Sequence, residues 1–185
     1  MNGYNNVYCN NASQYGLQLK DAQFISSGSD NIKLAANLTP GCPNVRVTGN
    51  VIYFSGGSGV VFSSEDLTFA DNVIDHSAGI GLDLTGAGKV SVGGNFFDDS
   101  GRGVNGGAAI NIDNTTVASI CNNRITGNGE YSANPAQIHF AGVNEEIDLC
   151  GNAYRTDQKP GDITLRPSYA YDADAGTVLT DPATA

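Results

Sequence analysis

The groups in this chain that could do chemistry are mostly carboxylates and amides, with only two histidines among 185 residues. Asp98, Asp99 and Glu130 are the candidate catalytic residues. Glycoside hydrolysis needs two carboxyl groups, ~5 Å apart when configuration is retained and ~6.5 to 9.5 Å apart when it is inverted. Repulsion between neighbouring carboxylates lets one keep its proton while the other ionises, which supplies an acid and a base together. Asp-Asp pairs also arise simply because they form turns and stay solvated. Around the acids lie Asp75, His76, Asp83, Arg102, Asn111, Asp113, Tyr131 and His139, the candidate substrate-binding residues. Carboxylate, amide and imidazole groups offer directional bonds to hydroxyl-rich ligands, and an aromatic face suits a sugar ring.

What must position these groups is a repeat. Asparagines at Asn50, Asn72, Asn95, Asn123 and Asn152 stand 22, 23, 28 and 29 residues apart, each inside the same apolar frame. That period is the mark of a solenoid whose repeats each complete one turn. Val45, Leu67, Val90, Ala118 and Ile147 lie five before the asparagine, and Val47, Phe69, Val92, Ile120 and Leu149 three before it. The alternation is that of a strand. Ile52, Ile74, Phe97, Ile125 and Tyr154 follow two after, so the chain bends at the asparagine and sends another large side chain inward. Asparagine tolerates the left-handed region, and its amide bonds neighbouring peptides, so stacked copies could form a hydrogen-bonded ladder. A second alternating strand follows in each repeat, as in Gly81-Leu82-Asp83-Leu84 and Gln137-Ile138-His139-Phe140; Asp162 to Leu165 reads as the last of these.

These features resemble the single-stranded right-handed parallel β-helix family, which includes pectate lyases, polysaccharide epimerases and phage tailspikes. The likeness covers about residues 16 to 166 and is carried by the turns Gly49-Asn50, Asp71-Asn72, Gly94-Asn95 and Gly151-Asn152. It implies an all-β, right-handed single-stranded parallel β-helix of roughly six turns. Residues 1–166 are then expected to be the solenoid, with 167–185 a C-terminal cap or tail. Because a stack of turns leaves unpaired backbone at both ends, the solenoid is expected to be either a section of a longer one or a protomer whose ends partners cover. The resemblance also implies a polysaccharide partner and, for a tailspike-like protein, a homo-oligomer, specifically a trimer. The Gly-His-Gly and Arg-Ile-Lys elements of polygalacturonase-like members are missing, and the few basic residues do not match a lyase.

Stacking turns distant residues into neighbours. Lys33, Val61, Asp83, Asn111 and His139 fall at one outward position of the second strand, with Asp83 and His139 about 10 Å apart across Asn111, on twice the ~4.8 Å strand spacing. Asp113 follows on the same face. Asp75 shares a register with Asp98, and His76 with Asp99. The stretch from asparagine to second strand is 10 residues after Asn50 and Asn72 but 15 after Asn95 and Asn123. The extra residues predict adjacent loops, Asp98 to Asn105 and Thr126 to Asn134, forming a wall; tolerated loop variation is the plainer explanation.

Composition narrows the partners. A formal net charge of −10 argues against nucleic acid, which needs clustered Lys and Arg. No apolar run approaches the ~20 residues of a membrane span, so no membrane partner is expected. The start at Met1-Asn2-Gly3 lacks signal-peptide features, so the expected extracellular location, secreted or virion-associated, requires an export signal outside these residues or another route. Cys121 and Cys150 both lie two before an asparagine and should be neighbours, either bridged or stacked as free thiols. Cys9 fits the same column lower down. No zinc-type spacing occurs, and no cofactor is called for; Ca2+ is compatible with carboxylates converging from successive turns, although the Gly-rich calcium nonapeptide is missing. The expected function is an extracellular polysaccharide-binding β-helix, with glycoside hydrolysis by a tailspike-type depolymerase as the sharper form. The alternatives are a non-catalytic structural or adhesive segment and a polysaccharide lyase or epimerase.

Overall fold

The computed structural model describes residues 4–9, 16–35, 44–101, 108–126, 137–154, 169–172 and 177–180. The strands, numbered in chain order, are β1 (Val7–Cys9), β2 (Gln18–Lys20), β3 (Gln23–Ser27), β4 (Ile32–Ala35), β5 (Val45–Thr48), β6 (Val51–Ser55) and β7 (Val60–Ser63). They continue with β8 (Asp66–Ala70), β9 (Val73–Ser77), β10 (Leu82–Thr85), β11 (Lys89–Gly93), β12 (Phe96–Asp98), β13 (Ile110–Asp113), β14 (Val117–Cys121) and β15 (Arg124–Thr126). The last five are β16 (Ile138–Ala141), β17 (Glu146–Cys150), β18 (Ala153–Tyr154), β19 (Tyr169–Asp172) and β20 (Thr177–Thr180). Every third strand pairs in parallel, giving a first sheet β2-β5-β8-β11-β14-β17, a second β3-β6-β9-β12-β15-β18 and a third running from β1 through β4, β7, β10, β13 and β16 to β19. β20 alone pairs antiparallel, with β19. This is a right-handed single-stranded parallel β-helix of about six turns.

Alternation in each strand sends one set of side chains inward, and register stacks like upon like. Ile32, Val60, Leu82, Ile110 and Ile138 make one interior column, and Leu34, Phe62, Leu84, Ile112 and Phe140 another. Val47, Phe69, Val92, Ile120 and Leu149 line the first sheet, while Ile52, Ile74, Phe97 and Ile125 line the second. Phe69 and Phe97 stack across the interior with centroids 6.3 Å apart.

The asparagines form a continuous buried column. Asn50, Asn72, Asn95 and Asn123 each donate from Nδ2 to Oδ1 of the next asparagine at 2.9 to 3.0 Å. Their backbone N–H groups donate to the same oxygens. The bend itself is made differently from the sequence expectation. The left-handed residue is the one before the asparagine position, which Ala22 fills in the first turn: Asp21, Gly49, Asp71, Gly94, Asn122 and Gly151 have φ between 50° and 69°. The asparagine instead spends its amide on the peptides that the bend frees from the ladder.

Two further expectations need correction. The residues after each asparagine are a full third strand per turn, not merely the outgoing limb of a bend. Cys9 pairs with Leu34 in the third sheet, so it does not share the column of Cys121 and Cys150. The strand after β16 in the third sheet is Tyr169–Asp172, within the 167–185 stretch expected to be a C-terminal cap or tail, and the expected last strand at 162–165 lies outside the described residues. Cys121 and Cys150 are bridged, with Cα atoms 4.6 Å apart. Peptide mapping without reductant should recover the two cysteines in one cross-linked species that separates on reduction; two free thiols would contradict the bridge.

Candidate functional site

The predicted outward row of the third sheet is present in register. Tyr8, Lys33, Val61, Asp83, Asn111 and His139 occupy one column on consecutive strands. Its central members are joined by hydrogen bonds. Asn111 Nδ2 donates to Asp83 Oδ1 at 3.0 Å and to Thr85 Oγ1 at 3.3 Å, and its Oδ1 faces His139 Nδ1 at 2.8 Å. Asp83 is fixed from its own strand, because Thr85 donates to the same oxygen from both backbone N–H and hydroxyl. Asn111 points outward yet is only 8% exposed, covered by these partners. Asp113 lies two residues on, half-buried, and accepts a bond from Asn114 Nδ2 at 2.7 Å.

A second cluster occupies the end of the second sheet. Asp98 pairs in register with Asp75 and Thr126, and Thr126 Oγ1 donates to Asp98 Oδ1 at 2.8 Å. His76 lies between two acids, with Nδ1 on Asp75 Oδ1 and Nε2 3.4 Å from Asp99 Oδ2. Both ring edges therefore meet carboxylates. The side chains of His76, Asp75 and Asp99 are 27%, 21% and 14% exposed, so the cluster is accessible but shielded.

The backbone explains why this cluster forms. Ser26, Phe54, His76 and Asp99 all have φ between 50° and 57°, and each precedes a buried serine, Ser27, Ser55, Ser77 or Ser100. A second bend thus runs up the solenoid, parallel to the asparagine one. A left-handed backbone is uncommon for non-glycine residues and notable for one as bulky as Phe54; such residues gather where a side chain must be presented. The bend swings Phe54, His76 and Asp99 out at the corner, where the His76 ring packs 5.0 Å from Phe54 and 5.3 Å from Tyr53. Tyr53, Phe54, Thr85 and Thr126 were missed as site residues. The signal for the aromatics was a serine five residues after Asn50, Asn72 and Asn95, which marks the residue before it as a corner.

No family model matches this chain, and no curated protein or solved structure does either. The site therefore has to be read from its own geometry. Asp75, His76, Asp98 and Asp99 come together as one group, and Asp83, Asn111 and His139 as another. The two groups sit on different sheets. Asp98 ends strand β12 rather than opening a loop. Arg102, Glu130 and Tyr131 lie outside the described residues, as do 102–105 and 127–134 of the predicted wall. An open depression of about 390 Å³ on the first sheet, bordered by Arg46, Asp66, Lys89 and Ser91, includes none of the candidates. Among the described residues, metal-ligand atoms converge within 4.8 Å at Cys121, Asp148 and Cys150, but there both sulfurs are committed to the bridge.

Proposed function

We propose that this chain is an extracellular protein that binds a polysaccharide along the third sheet. The observation that carries this reading is the in-register row Asp83, Asn111 and His139, which repeats polar groups at ~4.8 Å steps along a rigid face. An extended polymer of hydroxyl groups can meet successive members of such a row without reorganising the protein, and solenoids use extended faces in this way. The Cys121–Cys150 bridge supports an oxidising compartment. The test is retention on a panel of immobilised capsular and cell-wall polysaccharides. Wild-type protein should be retained by at least one of them, and retention by none would end this reading.

Hydrolysis is a second reading, favoured by the acids of the second sheet. Asp75 and Asp98 project from adjacent parallel strands at directly paired positions, so their side chains leave backbones ~4.8 Å apart and the two carboxyl groups can reach the ~5 Å separation that a retaining pair requires. Asp99 faces His76 and orients it, and Glu130 retains its sequence-based candidacy. If the pair is catalytic, Asp98→Asn should lower reducing-end release by about 10³-fold or more while glycan retention is unchanged. Asp99→Asn should lower release less. Retention with no release from any glycan would leave a binding protein.

Association with further copies of the chain rests on a different face. Ile25, Val51 and Phe54 are 48%, 37% and 41% exposed, and Val73 and Phe96 continue the Val51 column outward on the second sheet. Apolar side chains gathered on one side of a solenoid suit contact with a second copy, as in a structural or adhesive homo-oligomer. Sedimentation should show an oligomer that Val51→Lys with Phe54→Lys converts to monomer; a wild-type monomer at all concentrations would remove this proposal.

A further inference from the structure

We propose that Asp83 and Asn111 lock His139 as a hydrogen-bond acceptor, and that the ligand of this face is therefore an uncharged, hydroxyl-donating saccharide rather than a polyanionic one. The inference rests on the polysaccharide reading above and adds the ligand class and the residues that select it.

The direction of each hydrogen bond in the row is set by its neighbours. An ionised carboxylate only accepts, so the group of Asn111 that faces Asp83 must be its amide nitrogen. The second amide hydrogen goes to Thr85 Oγ1, whose own hydrogen is spent on Asp83. Turning the amide over would set its oxygen against the carboxylate, so one orientation is enforced. That orientation presents Oδ1 to His139, and an oxygen without a hydrogen can only accept. His139 Nδ1 must then carry the proton. In a neutral imidazole the other nitrogen, Nε2, is left with the lone pair. Asn111 is more than nine-tenths buried, so its amide is largely shielded from water although Thr85 at the edge of the row is exposed.

The consequence is a face made of acceptors. Nε2 of His139 and the carboxylates of Asp83 and Asp113 all seek donors, and saccharide hydroxyls are donors. A uronate or sulfated chain would bring negative charge to a protein of formal net charge −10. Among the described residues, the cation of this column is Lys33, two strands below Asp83 and 3.7 Å from Asp30, so it does not offset the acids. Asp83 and Asn111 act here as positioning residues, and His139 as the group that meets ligand.

The experiment has two arms. In the first, ¹⁵N long-range NMR at pH 8 reads the tautomer of each histidine, with His139→Phe assigning the two signals. Wild type should show His139 in the Nδ1–H form, and Asn111→Leu should return it to the Nε2–H form that free imidazole side chains favour. A wild-type Nε2–H signal would overturn the lock whatever the ligand is. In the second, neutral, uronate-containing and sulfated polysaccharides are compared for binding. Neutral chains should bind best, and Asn111→Leu and His139→Phe should each weaken them about tenfold or more, while the unfolding midpoint shows that both variants are folded. Preference for a polyanion, or binding indifferent to both substitutions, overturns this inference and leaves the polysaccharide reading standing. Failure to bind any glycan overturns both, even if the tautomer is as stated.

Discussion

Asn72→Leu is expected to lower the unfolding midpoint by about 10 °C or more, the largest effect of any single substitution proposed for this protein. The side chain is 1% exposed and completes four bonds. Its Nδ2 donates to the Val47 carbonyl at 2.8 Å and to Asn95 Oδ1 at 3.0 Å, and its Oδ1 accepts from both the backbone N–H and the Nδ2 of Asn50 at 3.0 Å. Leucine has similar bulk but leaves the Val47 carbonyl, the Asn50 N–H and one Asn50 amide hydrogen unmet in the interior. Each stranded group costs about 1 to 3 kcal/mol, for a total on the order of 5 kcal/mol. Asn95 Oδ1 keeps its bond from the Asn72 backbone, so the damage spreads mainly toward Asn50. The comparison is Ala22, which holds the asparagine position of the first turn and contributes only a backbone N–H to Asn50 Oδ1. Ala22→Asn should move the midpoint little, because no neighbour there depends on a side-chain amide. Thermal or urea unfolding of the two variants measures the difference, and a shift at Asn72 no larger than at Ala22 would show that the column is not stabilising.

The asparagine spacing was enough to give the solenoid, its strand alternation and the neighbour relation of Cys121 and Cys150, because each depends only on residues recurring at one interior position. The second sheet was less legible for a physical reason. Its outward positions include Val51, Val73 and Phe96, so apolar side chains occupy both faces and the alternation that reveals a half-buried strand is blurred. The row Asp83, Asn111 and His139 could be read directly, since strand β10 and its successors alternate cleanly. Its hydrogen-bond direction could not, because it depends on contacts among three side chains, Asp83, Asn111 and Thr85, with Thr85 lying two residues along the strand from Asp83. The registers of Asp75 with Asp98 and of His76 with Asp99 were also legible. What the spacing concealed was that His76 and Asp99 sit on a left-handed corner beside Tyr53 and Phe54, a placement produced by backbone conformation rather than by residue type.

Gly94→Ala should cost about 3 kcal/mol, and Asp71→Gly in the same chain should give part of it back. The left-handed column before the asparagines alternates between residues with and without a side chain: Asp21, Gly49, Asp71, Gly94, Asn122, Gly151. The alternation has a steric cause. A Cβ at Gly94 would lie 2.5 Å from Asp71 Oδ1, and one at Gly151 would lie 2.5 Å from Asn122 Oδ1. Each aspartate or asparagine thus fills the space that the next turn's glycine leaves open, so the structural repeat at this corner is two turns long although the asparagine repeat is one. Alanine at position 94 meets two penalties. The left-handed conformation, φ 69° here, costs an L-residue roughly 1 to 2 kcal/mol. The contact with Asp71 adds the cost of turning an exposed carboxylate off its preferred rotamer, about 0.5 to 1.5 kcal/mol. Asp71→Gly removes the second penalty alone, so a double-mutant cycle should give a favourable coupling of about 1 kcal/mol while the conformational penalty remains. Additive effects would mean that the carboxylate moves aside freely and that the alternation serves only the backbone.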